Sequence, residues 1–271
     1  MSAVSGSKWA DLGMRTASAL VLVPAVLFIV WLGGFWFTGL IIALGILMAV
    51  EWVRISYGPN KTQLLIHQVA AVSLIMGSLR LSLLALVLLT FVSWFFQRKD
   101  SFDFWILIGV FYIGLPVLAF DQLRGDAQLG FVAVIWCLVI VWSADVMAYF
   151  FGRTIGGPKL APRISPKKTW AGMLGAIVGA ALASLGVSYF VGLHFWPMAT
   201  LAALFAVLEQ GGDIFESAFK RHYGVKDSGN LIPGHGGVLD RVDGLIAVVL
   251  GAAVIGFAAN SMHPSVGLLH W

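Results

Sequence analysis

Charge is what this sequence has least of. Of its 271 residues, 11% are Asp, Glu, Lys or Arg, while 59% are hydrophobic. A soluble domain averages about 25% charged residues, so a water-soluble globule is excluded and lipid must solvate most of the surface. Cysteine is nearly absent. Cys137 stands alone inside an apolar run, which excludes an intramolecular disulfide and a cysteine metal site and leaves a small buried hydrophobe. The alternating segments of about 10 residues that mark a membrane barrel are missing. So are low-complexity tracts, a second soluble domain and an internal repeat, and without the repeat the usual pointer to a transporter is lost.

Long apolar runs are what the chain has instead. Continuous stretches of about 16–23 residues suit helices crossing a ~30 Å hydrocarbon core, where a helix satisfies its own backbone groups. Nine spans are predicted, at 17–32, 35–53, 64–79, 81–96, 102–120, 128–150, 173–193, 195–218 and 244–262. The first lacks a small-x-small cleavage site and is therefore expected to stay as a helix. Pro24 and Pro116 fall inside spans and are expected to kink them. With the N-terminus inside, 15 of the 17 Lys and Arg residues lie in inside segments, and only Arg80 and Arg124 lie outside. Cytoplasmic loops carry such an excess, so the N-terminus is expected in the cytoplasm and the C-terminus outside. The predicted fold is an all-α integral membrane bundle. Its N-terminal helices occupy 1–127, and a C-terminal catalytic membrane domain occupies 128–271 with cytoplasmic loops at 151–172 and 219–243. Those loops hold nine of the 17 basic residues.

The polar residues concentrate in one stretch. Between Ser217 and Asp243, 27 residues hold four basic side chains, three aspartates and five glycines. Just upstream, Glu209, Asp213 and Glu216 recur at i, i+4 and i+7 and so share a helix face. Asp240 and Asp243 share the start of the last span, and Asp145 sits near the cytoplasmic end of the sixth. Ionisable groups in a membrane are costly and mark function. Carboxylates from two helix ends can ligate Mg²⁺, which takes one or two of them beside substrate phosphates and water. Interfacial ion pairs with Lys220, Arg221 and Arg241 are the other reading of the same acids.

Ser165-Pro166-Lys167-Lys168-Thr169-Trp170 sets two ammonium groups and two hydroxyls at the start of a helix. Such a start favours phosphate oxygens. Anchoring to anionic headgroups, worth ~1 kcal/mol per basic residue, is the alternative, and Trp170 reads as an interfacial aromatic. Gly234, Gly236 and Gly237 flank His235 after Pro233, which permits close approach of the backbone to an anion or a sharp return into the last span. His235 itself reads as a phosphate donor or a turn residue. Gly172, Gly175, Gly179 and Ala183 form a small-residue face suited to helix packing.

These residues, taken together, resemble the phosphatidate cytidylyltransferase family of integral membrane enzymes. Ser217, Lys220-Arg221, Lys226-Asp227, His235-Gly236-Gly237 and Asp240-Arg241-Val242-Asp243 fit its pattern at matching spacing. Asp145, Phe151-Gly152-Arg153 and the string 165–170 fit as well, so the resemblance covers roughly residues 140–245. One departure is Ala171, where the family usually has Glu. The resemblance implies transfer of the cytidylyl group of CTP to phosphatidic acid, giving CDP-diacylglycerol and pyrophosphate. It implies Mg²⁺, with room for a second cation such as K⁺, and a homodimer. It also implies the bilayer as partner, with no nucleic acid, in a bacterial plasma (inner) membrane whose enzyme faces the cytoplasm. Asp213, Asp240 and Asp243 are then the expected cation ligands, with Asp145 and Glu216 as further candidates. Lys220 and Arg221 are expected to offset phosphate charge. Ser165, Lys167, Lys168, Ser217, Lys226, Asp227, His235 and Arg241 are expected at the substrates. Two rivals are a CTP-dependent lipid kinase of the polyprenol type and a transporter of an anionic solute.

Overall fold

The computed structural model describes residues 20–73, 77–96, 103–231 and 236–270; His235 lies outside them. Ten helices run through these segments. They are α1 (Leu20–Leu32), α2 (Gly34–Ser56), α3 (Lys61–Val72), α4 (Leu79–Phe95), α5 (Phe104–Gly125), α6 (Gly130–Thr154), α7 (Trp170–Val191), α8 (Phe195–His222), α9 (Leu239–Ala259) and α10 (Pro264–Leu269). Each of the nine predicted spans overlaps one of the first nine, α3 ending at Val72 where a span to 79 is predicted. Six of them, α2 and α5–α9, are long and apolar enough to cross a membrane. Helix α3 has 12 residues and α4 has 17. The brevity of α3 goes with a polar face turned inward: Gln63 donates to the Ser93 carbonyl oxygen at 2.9 Å and accepts from the Ser93 hydroxyl at 2.7 Å. Pro116 sits inside an unbroken α5.

The loop predicted at 151–172 is largely regular structure. Helix α6 runs on to Thr154 and α7 starts at Trp170, with an antiparallel hairpin of β1 (Lys159–Ala161) and β2 (Ser165–Thr169) between them. Pro162 makes the turn: its fixed φ suits the second position of a β-turn, which Ile164 N–H closes on the Ala161 carbonyl at 3.2 Å. Thr169 then caps α7 by accepting from Gly172 N–H. The last predicted span also begins earlier, so Asp240 and Asp243 lie in the first turns of α9.

Small residues and a few buried polar bonds hold the C-terminal half together. A Cβ at Gly175 would stand 2.6 Å from the Met147 carbonyl oxygen, so α7 lies on α6 at a distance only glycine permits. Trp136 donates to Ser184 at 2.8 Å, and Ser184 donates to the Met198 carbonyl at 3.0 Å, tying α6, α7 and α8 in series. A second core joins the two halves of the chain. Trp52 of α2 stacks on Phe219 of α8 with ring centres 3.8 Å apart, and Met48, Tyr112, Leu239 and Ile246 pack around them.

Candidate active site

Helices α8 and α9 cross where each carries a glycine beside an aspartate. A Cβ at Gly212 would lie 2.6 Å from the Asp243 carbonyl oxygen, and one at Gly244 would lie 2.8 Å from Cγ of Glu209. Any larger residue would force the helices apart. Asp213 and Asp243 follow and precede these glycines, and the crossing brings them into electrostatic range of one another, with Glu216 and Asp145 also near. Asp145 of α6 and Glu209 of α8 also lie within electrostatic range of one another. Five carboxyl groups therefore gather at one end of the bundle.

Beside them opens a cleft of about 500 Å³ between α6, β2, α7 and α8. Asp145, Arg153, Lys167, Lys168, Gln210 and Asp213 line it. Lys168 is held by Asp213 at 2.7 Å and by the Gln210 side-chain oxygen at 2.8 Å. Gln210 donates in turn to Glu209 at 2.8 Å. Ser217 donates to the other oxygen of Asp213 at 3.3 Å. Arg153 donates to the Tyr149 hydroxyl at 2.7 Å on the exposed rim. Glycine at 152 keeps the floor low, since a Cβ there would meet the Thr169 hydroxyl at 3.1 Å. A separate cavity of about 70 Å³ among α1, α2, α5, α6 and α9 is lined by apolar residues alone and offers no chemistry.

A second cluster sits one turn further along α8. Lys220 bridges Glu216 at 2.5 Å and Asp240 at 2.6 Å, with both partners largely buried. The other oxygen of Asp240 accepts from Ser228 N–H and Gly237 N–H, each at 3.0 Å. Ser228 also donates its hydroxyl to Glu216 at 3.2 Å. Behind this cluster, Glu51 of α2 accepts from Val238 N–H at 2.9 Å and from Leu239 N–H at 2.8 Å.

The expected site residues thus divide. Asp145, Lys167, Lys168, Asp213 and Ser217 meet at the cleft or its edge, with Asp243 and Glu216 adjoining. Arg241 is exposed but stays in electrostatic range of Asp145. Asp240 and Lys220 are bound to one another, so both oxygens of Asp240 already face protein donors. Arg221 is exposed and donates to the Val225 carbonyl at 2.9 Å, closing the end of α8 rather than lining the cleft. Lys226 and Asp227 are exposed in the loop before α9, and Ser165 pairs with Ala161 in the hairpin. Sequence reasoning passed over Glu51, Gln210, Ser228, and the pair Gly212 and Gly244. The mirrored Gly-Asp and Asp-Gly at 212–213 and 243–244 is a readable signal for the crossing. A lone acid inside the second apolar run is one for Glu51, because such a group marks function in lipid.

Among the described residues, no three His, Cys, Asp or Glu side chains are placed to hold an ion unaided. Mg²⁺ asks for less, because one or two carboxylates suffice when phosphates and water complete its shell. Asp213 and Asp243 are hard oxygen donors on two crossing helices and fit that requirement, Asp243 accepting from Gly244 N–H at 2.9 Å and Asp213 being held by Lys168 and Ser217.

Comparison with known proteins identifies the family. The model of the cytidylyltransferase family matches residues 13–258. A phosphatidate cytidylyltransferase of Brucella abortus biovar 1 (strain 9-941) is 38% identical over 262 residues, covering 94% of this chain and 96% of the relative. Another of that name, from Staphylococcus epidermidis (strain ATCC 35984), is 38% identical over 177 residues, 62% of this chain and 67% of the relative.

Proposed function

This chain belongs to the cytidylyltransferase family, and we propose that it transfers the cytidylyl group of CTP to phosphatidic acid, giving CDP-diacylglycerol and pyrophosphate. One observation carries the site: Asp213, at the α8–α9 crossing beside Asp243, shares a cleft with Lys167 and Lys168 at one end of a membrane bundle. Cations there meet the triphosphate, carboxylates there meet a metal, and the lipid phosphate reaches both from the bilayer surface.

A phosphate oxygen of the lipid attacks the α-phosphorus of CTP. The new P–O bond forms as the bond to the β-phosphate oxygen breaks, and pyrophosphate leaves with the electron pair. The attacking monoester is largely ionised near pH 7, its second pKa being about 6, so no general base is required. Positioning and charge neutralisation supply the acceleration. Lys167, Lys168 and Arg153 bind the β- and γ-phosphates. Lys168 exchanges its bond to Asp213 for one to phosphate, which frees that carboxylate when nucleotide arrives. Asp213 and Asp243 would hold Mg²⁺, with the carboxyl groups of Asp145 and Glu209 beside them. Mg²⁺ supplies neutralisation of phosphate charge when bound. Asp240 and Glu216 orient Lys220 and so fix the distance between α8 and the start of α9.

The proposal includes nine spans, a cytoplasmic N-terminus, an outer C-terminus, a homodimer, and an inner-membrane enzyme open to the cytoplasm. Contacts between helix ends support the alternation. Arg124, ending α5, donates to the Val30 carbonyl at 2.8 Å near the end of α1, while Glu51 near the end of α2 meets the start of α9. CTP labelled at the α- or γ-phosphate, incubated with purified protein, phosphatidic acid and Mg²⁺, tests the reaction. Entry of α-label into the lipid is expected. Entry of γ-label would mean a lipid kinase, and uptake of an anion into liposomes without nucleotide would mean a transporter.

A further inference from the structure

A helix start leaves its first N–H groups without intrahelical partners. Helix α9 has no capping side chain of its own, because Val238 stands at its N-cap. Three successive N–H groups, of Gly237, Val238 and Leu239, are nonetheless all satisfied. Asp240 takes the first, and Glu51, from a helix 187 residues earlier, takes the other two. Glu51 is only 2% exposed. Its carboxylate fills the space where two glycines have no side chain: a Cβ at Gly229 would lie 2.7 Å from Glu51 Oε1, and one at Gly237 would lie 2.7 and 2.8 Å from its two oxygens. Gly237 is not among the glycines of positive φ, so the neighbouring carboxylate, rather than backbone shape, demands glycine there.

We propose that Glu51 is a positioning residue for the transfer reaction, the remote cap that fixes the start of α9 and with it Asp240 and Asp243. Glu51 does not line the cleft that holds Lys167, Lys168 and Arg153. Its loss therefore disturbs the reacting geometry while leaving nucleotide binding nearly intact. This role presupposes the cytidylyl transfer proposed above, so the test includes a readout that needs no turnover.

The test compares wild type, Glu51→Gln, Gly237→Ala and the double variant Glu51→Ala/Gly237→Ala as full-length protein in detergent. Glutamine keeps the volume but offers one acceptor oxygen and sets an NH₂ group against a donor. Expected for Glu51→Gln is a kcat lower by about 100-fold, the loss that a displacement near 1 Å brings, with KM for CTP close to wild type. Amide hydrogen exchange should quicken over residues 236–244 and stay unchanged in α6 and α7. Gly237→Ala should lower kcat by about ten-fold, and adding it to Glu51→Ala should cost nothing more, because coupled neighbours are not additive. Unchanged kcat and exchange in Glu51→Gln would overturn the proposal. So would faster exchange throughout the bundle with kcat and KM shifted together, which marks Glu51 as merely a stabiliser. If the Glu51 variants fail to fold, wild-type kcat in Gly237→Ala overturns it alone. An inactive wild type would instead defeat the transfer reading, while the exchange pattern would still report the cap.

Discussion

The Lys220 cluster and the Asp213–Asp243 pair lie about two helical turns apart on α8 and about one on α9, yet their charges are balanced in opposite ways. Around Lys220, two carboxylates share one ammonium, two backbone N–H groups and a serine hydroxyl. Around Asp213 and Asp243, the carboxyl groups of Asp145 and Glu209 add further acids, while Lys168 is in direct contact with Asp213. Like charges so close in a low-dielectric setting repel strongly, and the fold keeps them together by the glycine crossing. A cluster closed by its own partners serves structure. One left with surplus carboxyl groups is, on the proposed function, the one that a cation and phosphates moving onto Lys168 would complete.

Neutralising the open pair should separate activity from stability most sharply. Asp213→Asn or Asp243→Asn should reduce turnover by about 1000-fold, the upper range for removing one group that stabilises transition-state charge. The melting temperature should hold or rise in Asp243→Asn, since a like-charge contact is relieved, and should do so less in Asp213→Asn, which also loses the ion pair with Lys168. Turnover with labelled CTP beside a thermal melt reads both, and near-normal Mg²⁺-dependent turnover would remove these two carboxylates from the chemistry. The closed cluster should behave the other way. Asp240→Asn breaks a mostly buried pair and should destabilise by about 3 kcal/mol, seen as a lower melting point, with activity falling because α9 is no longer held.

Lys168 stands between the two kinds of cluster, paired in the fold yet facing the cleft. Lys168→Gln should raise KM for CTP by about ten-fold, in keeping with the loss of one bond to a charged group, and should change kcat less. An unchanged KM would make Lys168 a structural partner of Asp213 and assign the triphosphate to Lys167 and Arg153.

Much of this was legible before any coordinates. Apolar runs gave the helices because in lipid every backbone group needs an internal partner, and the i, i+4, i+7 spacing put Glu209, Asp213 and Glu216 on one face. Lys168 and Asp213 were both expected at the site, though 45 positions separate them. Legibility failed where a residue's role depends on what a distant segment leaves unsatisfied. Glu51 reads as one acid in an apolar run, and only the bare N–H groups of α9 give it a purpose. Asp240 and Asp243 look equivalent in the string Asp-Arg-Val-Asp. Their difference arises because Ser228 and Gly237 return to one of them and Gly244 sets the other against α8. The hairpin was missed because a 3-residue strand against a 5-residue one gives too short a pattern to read beside two helix ends.

Position 171 offers the finest test of which cluster the start of α7 serves. Helix α7 has no acidic residue in its first turn, and Ala171 stands there, partly buried, between the Thr169 cap and Gly172 on the wall of the cleft. A carboxylate near a helix N-terminus is worth about 0.5 kcal/mol through the aligned peptide dipoles. Ala171→Glu should therefore raise the melting temperature slightly. If the new carboxylate acts only on the helix, turnover and the Mg²⁺ requirement stay as they were. If it joins Asp213 and Asp243, the Mg²⁺ concentration for half-maximal turnover falls, since another hard oxygen donor would have been added beside the pair. A fall without any gain in melting temperature would move the start of α7 from the scaffold into the open cluster.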